Sequence, residues 1–290
     1  MIAEVPRPTF AGTSDAPSKR DTDEGGGDNS ASGRASACPL IFIHIPKAAG
    51  TTFQHLVEDR FARKFRFSGD TEEWNAFKRL SAEERDSFDL LYGHVHFGVH
   101  EHLARPAMYV TMLRDPVDRI VSHYYFVRQH PDHYLHSIAA ECTLEQYATR
   151  RTSHELDNDQ VRWLTTPHHF DVPVGKVSRT LVEEAKWNLA NAFPAFGITS
   201  QFERSVRWVS RALCWQGVEI PPRQNATRDR PALEEVSPAT IAAIREINRY
   251  DAELFEFASA LFEERAPAGC EAASLSVSDD GEASVGGAAE

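Results

Sequence analysis

Four cysteines in 290 residues are few, and they are scattered. Cys38, Cys142, Cys214 and Cys270 form no C-x-x-C pair, which argues against a zinc ribbon or a disulfide framework and fits reduced thiols. No apolar run approaches the ~20 residues that a membrane helix needs. The opening residues lack the charged-then-apolar order of a secretory signal. Together these absences predict a cytoplasmic protein without an integral membrane span. In that setting the Asn225-Ala226-Thr227 sequon would go unused. Bases are also scarce, 31 Lys and Arg against 43 Asp and Glu, for a formal net charge of −12. Residues 1–37 hold six acids and four bases, and residues 266–290 hold five acids and no base. The middle of the chain is therefore only mildly acidic. That excludes a general nucleic-acid binder and leaves room for a local basic groove. No internal repeat is present.

What is there suits one sizeable core, with 41% hydrophobic residues. Residues 1–37 are polar, aperiodic and rich in Gly and Ser, so they are expected to be a disordered N-terminal tail. Residues 266–290 are small and acidic, and are expected to be a disordered C-terminal tail. One domain over 38–265 remains. Within it, Ile41–Ile45, Phe88–Tyr92, Met108–Leu113 and Phe193–Ile198 read as strands. Helices are predicted over Thr51–Lys64, Val117–Arg128, Thr143–Arg150, Val177–Asn191, Gln201–Trp215 and, as one long element, Ser237–Phe262. Short helices are expected between Glu72 and Arg85, and D-N-D-Q-V-R-W-L over Asp157–Leu164 is also helical in pattern. Strands alternating with helices give an α/β class, a parallel sheet flanked by helices with a helix-rich C-terminal half.

The chain is organised around Ile41–Phe53, I-F-I-H-I-P-K-A-A-G-T-T-F. A buried strand ends at Pro46, a turn of small residues (Ala48, Ala49, Gly50) lets backbone approach a ligand, and Thr51 and Thr52 can open a helix. Amide groups and the helix dipole then converge on the turn as an anion site, with Lys47 at its mouth. The order differs from G-x-x-x-x-G-K-S/T, because Lys47 precedes Gly50. A surface strand–turn–helix corner is the plainer alternative. A second anion site lies in Met112–Phe126, M-L-R-D-P-V-D-R-I-V-S-H-Y-Y-F. There the Arg114 fork can hold a phosphate bidentately and the Ser122 hydroxyl can donate to it. Alternatively Arg114 and Arg119 pair with Asp115 and Asp118 on the helix start. Between the two sites, Phe88–Tyr92 runs into Gly93-His94-Val95-His96. That places an imidazole at a strand's carboxyl end, where open α/β sheets bind ligands. His96, His100 and His102 nearby suit a metal site or a plain polar loop equally.

P-K-x-x-G-T-T after a strand resembles the 5′-phosphosulfate loop of sulfotransferases that use 3′-phosphoadenosine 5′-phosphosulfate (PAPS), and gives the fold a P-loop-type character. Arg114, Asp115, Pro116, Arg119 and Ser122 resemble those enzymes' 3′-phosphate motif, R-D/N-P-x-x-R-x-x-S. The segments H-I-P-K-A-A-G-T-T-F, Y-G-H-V-H-F, D-N-D-Q-V-R-W-L and A-K-W-N-L…F-G-I-T-S-Q-F-E are similar to the group containing the heparan sulfate 2-O- and 6-O-sulfotransferases and bacterial relatives. The likeness covers roughly residues 40–262, and 128–156 match nothing in it. It implies PAPS as sulfate donor, bound by Lys47, Ala48, Ala49, Gly50, Thr51, Thr52, Arg114 and Ser122. It implies transfer to a hydroxyl, on a carbohydrate or glycoconjugate, with His94 as base, Lys47 stabilising the leaving oxygen, and no metal. The H-x-H spacing turns His94 and His96 to opposite faces, so one of them faces the cleft. Lys186 and the basic run Arg223, Arg228 and Arg230 are further contacts or solvated charges. Two other functions compete: a nucleotide kinase or triphosphatase, and a non-catalytic nucleotide-binding module.

Overall fold

The computed structural model describes residues 38–166, 172–220 and 230–266. The expected tails at 1–37 and 267–290 lie outside the described residues, as do Arg223, Arg228, Cys270 and the sequon. Ala266, placed at the start of the C-terminal tail, is buried and accepts a hydrogen bond from Arg204.

Five strands form one parallel sheet: β1 (Leu40–Ile43), β2 (Lys64–Phe67), β3 (Leu90–Gly93), β4 (Met108–Leu113) and β5 (Gly197–Ile198), ordered β2-β3-β1-β4-β5. All four residues of β1 are buried, as a strand covered on both faces requires. Its register sets Ile43 beside Gly93 of β3 and Thr111 of β4. The chain therefore leaves three neighbouring strands along one edge, at His44, His94 and Arg114. This is the edge where parallel α/β sheets bind ligands.

The helices, in chain order, are α1 (Gly50–Glu58), α2 (Thr71–Arg79), α3 (Ala82–Asp86), α4 (Pro116–Gln129), α5 (His136–Glu141), α6 (Leu144–Thr149), α7 (Asp159–Trp163), α8 (Arg179–Ala192), α9 (Phe202–Ala212), α10 (Pro238–Ile247) and α11 (Arg249–Arg265). One core cluster joins the sheet to α1, α8, α9 and α11. A second forms where α4 meets α5, α6 and α10, around Ile120, Tyr124, Leu135, Tyr147 and Ile244. Among the described residues no helix is long and apolar enough to cross a membrane, and Cys38, Cys142 and Cys214 form no disulfide.

Two expectations about elements are corrected. The helix predicted to Lys64 stops at Glu58, and Lys-Phe-Arg-Phe is the edge strand β2. Phe65 and Phe67 pack on Phe77 while Lys64 and Arg66 face solvent, an alternation only four residues long. The basic cluster there is largely engaged: Arg63 forks onto Asp89, Lys64 donates to the Glu58 carbonyl and Arg60 to that of Gln216. The long helix predicted over Ser237–Phe262 is two helices, broken at Asn248. The buried Asn248 carboxamide accepts from the Asn158 N–H and donates to the Ile244 carbonyl, so the chain turns around it.

Asn158 is the other half of that junction. Its backbone is left-handed, at φ 50°. Its Oδ1 accepts from the amides of Tyr250 and Asp251, and its Nδ2 donates to Ile247 O and Asp157 Oδ1. Asn158→Ala would orphan two buried helix-start amides in a backbone conformation that alanine tolerates poorly. A loss of at least ~2 kcal/mol is expected, read as a lower urea midpoint at unchanged slope. An unchanged midpoint would remove Asn158 from this role.

Candidate active site

The loop after β1 is tightly wound. Lys47 and Ala49 both have positive φ, 66° and 62°. Residues with a Cβ adopt that region at a cost of roughly 1–2 kcal/mol each. Three contacts hold the turn. Thr199 Oγ1 lies 3.0 Å from both the Ala48 and the Leu113 carbonyl oxygens. Arg114 Nη1 donates to Lys47 O at 2.8 Å, and Ala48 N donates to Ile45 O. The left-handed Ala49 then starts α1 at Gly50, one residue earlier than expected and with no side-chain cap. Thr51 and Thr52 sit inside the first turn rather than capping it. A helix start with no capping side chain attracts anions through its first amides and its dipole. Gly50 is required for a reason the sequence did not suggest: a Cβ there would lie 1.9 Å from the His44 ring.

Lys47 reaches over the Phe126 ring, with Nζ 3.7 Å from its centroid. Burial, with the positive charges of Arg114 and Arg230, pushes its ammonium down to about 8. Arg114 leaves β4 with its backbone gripped by the Gln160 carboxamide, which accepts from Arg114 N at 2.9 Å and donates to Arg114 O at 2.8 Å. Its Nε donates to Asp118 at 2.6 Å, and Arg230 donates to the same carboxylate. Burial works to raise the Asp118 pKa, but Arg114 and Arg230 hold it below the usual carboxylate range. Asp115 caps α4 and Pro116 takes its first position, so the Arg-Asp-Pro order sets the helix start. Ser122 is buried and faces the same space. Arg119 does not: it is fully buried and donates to Asp159 Oδ2 and Glu155 O.

His94 follows Gly93, whose φ of 109° and contact with the Phe67 carbonyl admit only glycine. The His94 Nδ1 lies 3.0 Å from the His44 carbonyl oxygen. A carbonyl only accepts, so this contact places the proton on Nδ1 and leaves Nε2 bare as the basic nitrogen. Burial lowers the His94 pKa, opposed by that hydrogen bond. His44 stacks on it with ring centroids 5.1 Å apart. The Gln54 amide donates to Glu58 and turns its oxygen to His44 Nδ1 at 2.9 Å. Burial and the neighbouring His94 push His44 down to about 4, so it stays neutral beside any imidazolium on His94. His96 is not among the residues that line the cavity, and it stacks on Trp163 at 4.1 Å.

A cavity of about 710 Å³ collects these groups. Lys47, Ala49, Gly50, Thr51, Thr52, His94, Arg114 and Ser122 all line it, together with Arg230. Ala48 is buried beneath the loop and contributes its carbonyl to Thr199. Lys186 pairs instead with Glu183 and Glu253 on α8 and α11. Sequence reasoning missed His44, His123, Phe126, His133, Glu155 and Thr199, which also line the cavity, as does Asp118, whose pairing with Arg114 was the alternative weighed there. The only available signals were the strand-end position of Thr199 and the polar start of α4.

Fold and site define an α/β protein with a cationic cleft at the carboxyl edge of its sheet. Residues 34–258 match the model of the Sulfotransferase family, and the chain belongs to that family. It is 26% identical over 278 residues to Homo sapiens heparan-sulfate 6-O-sulfotransferase 1, covering 78% of this chain and 66% of that protein. It is 24% identical over 268 residues to Gallus gallus heparan sulfate 2-O-sulfotransferase 1, covering 77% and 70%. The match to the Cricetulus griseus 2-O enzyme spans 54% of that protein's length. Among solved structures it is similar to mouse sulfotransferase SULT7A1 complexed with PAP, with a TM-score of 0.38, 14% identity, and 76% of this chain and 66% of that one covered.

Gly50→Ala tests how the loop and the two histidines fit together. The new methyl must displace the His44 ring, and with it the surface on which His94 stacks. Overpacking of this kind should cost about 1–3 kcal/mol in melting experiments. The His94 titration followed by NMR should also move. An unaltered melting point together with an unaltered titration would contradict the packing described.

Proposed function

We propose that this chain transfers the sulfuryl group of PAPS to a hydroxyl of a carbohydrate or glycoconjugate by in-line displacement. The observation that carries the reading is one cavity holding both a cationic cradle and an imidazole whose bare nitrogen is fixed by a backbone carbonyl. Family membership and the similarity to heparan sulfate 2-O- and 6-O-sulfotransferases support the sulfuryl chemistry and a sugar acceptor.

The residues fit such a donor. The uncapped α1 start, Lys47, Thr51 and Thr52 would take the phosphosulfate end. Arg114 and Ser122 would take the 3′-phosphate, with Arg230 beside them. PAPS supplies an activated sulfuryl group and leaves as adenosine 3′,5′-bisphosphate. His94 Nε2 takes the proton from the acceptor hydroxyl as that oxygen bonds to sulfur. The His44 carbonyl then stabilises the resulting imidazolium through Nδ1–H. Lys47 holds its ammonium where charge gathers on the leaving oxygen. The loop amides share that charge without reorganising.

A screen with labelled PAPS against saccharides, glycolipids, phenols and peptides tests the reaction directly. Within it, His94→Ala should cut single-turnover transfer by about 10²-fold or more while leaving nucleotide affinity nearly unchanged. Lys47→Ala should slow transfer and also weaken PAPS more than the desulfated product. His96→Ala should be mild, because that ring packs on Trp163. Full activity in His94→Ala, or a collapse confined to His96→Ala, moves the base elsewhere. The unmodified protein should prefer adenosine 3′,5′-bisphosphate over adenosine 5′-phosphate. Arg114→Ala should remove about 1.5–3 kcal/mol of that preference by calorimetry.

The pH profile follows from the two charge states required. His94 must be neutral, so kcat/KM rises with pH through a midpoint below the ordinary ~6.5 of histidine. Lys47 must be protonated, so kcat/KM falls again through about 8. The acid limb should vanish in His94→Ala and the alkaline limb in Lys47→Ala. A profile flat between pH 5 and 9 would contradict both assignments.

A further inference from the structure

The segment between α4 and α7 has no part in the chemistry so far, yet it sends two side chains into the cavity. Its start, residues 130–136, carries His130, His133 and His136. His130 Nδ1 turns back to the Phe126 carbonyl at 2.7 Å, and His136 Nδ1 to that of Val127 at 2.9 Å. Both therefore close off the carboxyl end of α4. His133 alone of the three turns to the cavity, where its ring meets the edge of His123 at 5.8 Å and 84°. Glu155 arrives from the other side, with its carboxylate 2.6 Å from His123 Nε2.

We propose that His123, His133 and Glu155 form a binding site for one late first-row divalent cation of the zinc class, set in the wall of the donor cavity. Each residue offers one ligand atom, and these atoms lie within 4.8 Å of one another. Zinc–nitrogen and zinc–oxygen bonds of about 2.0–2.2 Å place tetrahedral ligand atoms on the order of 3.4 Å apart, within reach of small side-chain rotations. Two imidazoles with one carboxylate suit zinc, cobalt or nickel, whereas magnesium and calcium select oxygen ligands. Three protein ligands would leave positions open toward the cavity, as in sites that accept an exogenous oxygen.

The surroundings are built for ligation. The Tyr147 hydroxyl lies 3.1 Å from His123 Nδ1 and can accept a hydrogen bond from an Nδ1–H, the tautomer that leaves Nε2 for the cation. Ser153 Oγ accepts from Glu155 N, and Arg119 donates to Glu155 O at 2.6 Å, so the backbone under the carboxylate is fixed. The Tyr134 hydroxyl also reaches that carboxylate. Two adjustments are needed. His123 Nε2 donates to the Glu155 carboxylate, so its ring proton must move to Nδ1 and that contact give way to the cation. His133 Nδ1 accepts from Leu135 N at 3.2 Å, so ligation through Nε2 requires the ring proton to move to Nδ1 and that long contact to be given up. Lys47 stands on the same cavity wall, so affinity in the micromolar range is expected rather than the tightness of a closed structural site.

The full chain, stripped by dialysis against a chelator, is titrated with Co²⁺ and followed by its visible d–d absorption, and with Zn²⁺ by calorimetry. One equivalent should bind. Glu155→Gln and His133→Ala should each weaken binding by at least about ten-fold. His130→Ala should leave it unchanged. Both ligand variants carry side chains that reach the cavity, and melting curves establish that they fold. The buried His123 is left intact to avoid a folding defect. X-ray absorption of the zinc-loaded chain should count two imidazoles among the ligands. No cobalt absorption at saturating metal overturns the proposal, as does binding that survives both substitutions.

Discussion

Arg119 is fully buried, and a buried guanidinium without partners is strongly destabilising, by several kcal/mol. Its partners here are the Asp159 carboxylate and the Glu155 carbonyl, both some forty residues along the chain. Meeting that demand pins residues 155–160 against α4, and the cleft follows from the pinning. Gln160 comes into reach of the Arg114 backbone and orients it. Asp157 takes the equally buried Arg162 and the Gly175 amide. Asp251 receives the amides of Gln160 and Val161 at the start of α7. One buried charge on α4 thus connects the sheet edge to α11.

The cleft itself is held by an uneven distribution of charge. Lys47, Arg114 and Arg230 approach one another, and Asp118 is the acid that two of them share. Such a cluster suits a polyanion, because its cations are already in place. Burial first, and the charges of Arg114 and Arg230 second, depress the Lys47 ammonium. An anionic ligand would relieve that repulsion, so binding and protonation of Lys47 are coupled.

Much of this was legible in the residues, and the reasons are local. β1, β4 and the start of α4 carry strong apolar runs or an Asp-Pro cap, and the strand–loop–helix order places Lys47 and Arg114 on one edge. The Gly93-His94 pair was also recognisable, because the apolar run over Phe88–Tyr92 leads straight into it; its glycine has φ 109°. The missing parts depend on distant partners. β2 is too short to show its period. The break at Asn248 lies inside an apolar repeat that continues through Ile244, Ile247 and Leu254, and only Asn158, some ninety residues earlier, explains it. His44, Thr199 and Glu155 likewise gain meaning only from what they touch.

The hydrogen bonds between Asn158, Gln160 and Val161 and residues 248–251 span about ninety positions of sequence. A chain emerging from the ribosome amino end first can pair β1, β3 and β4 well before those partners exist. Until Asp251 arrives, the start of α7 has no cap and Gln160 has no fixed place from which to grip Arg114. Assembly is therefore ordered: the sheet can form early, but the cleft is completed only when α11 has been synthesised. A nascent chain halted before Asn248 would carry every side chain of the anion cradle except a means of aligning them.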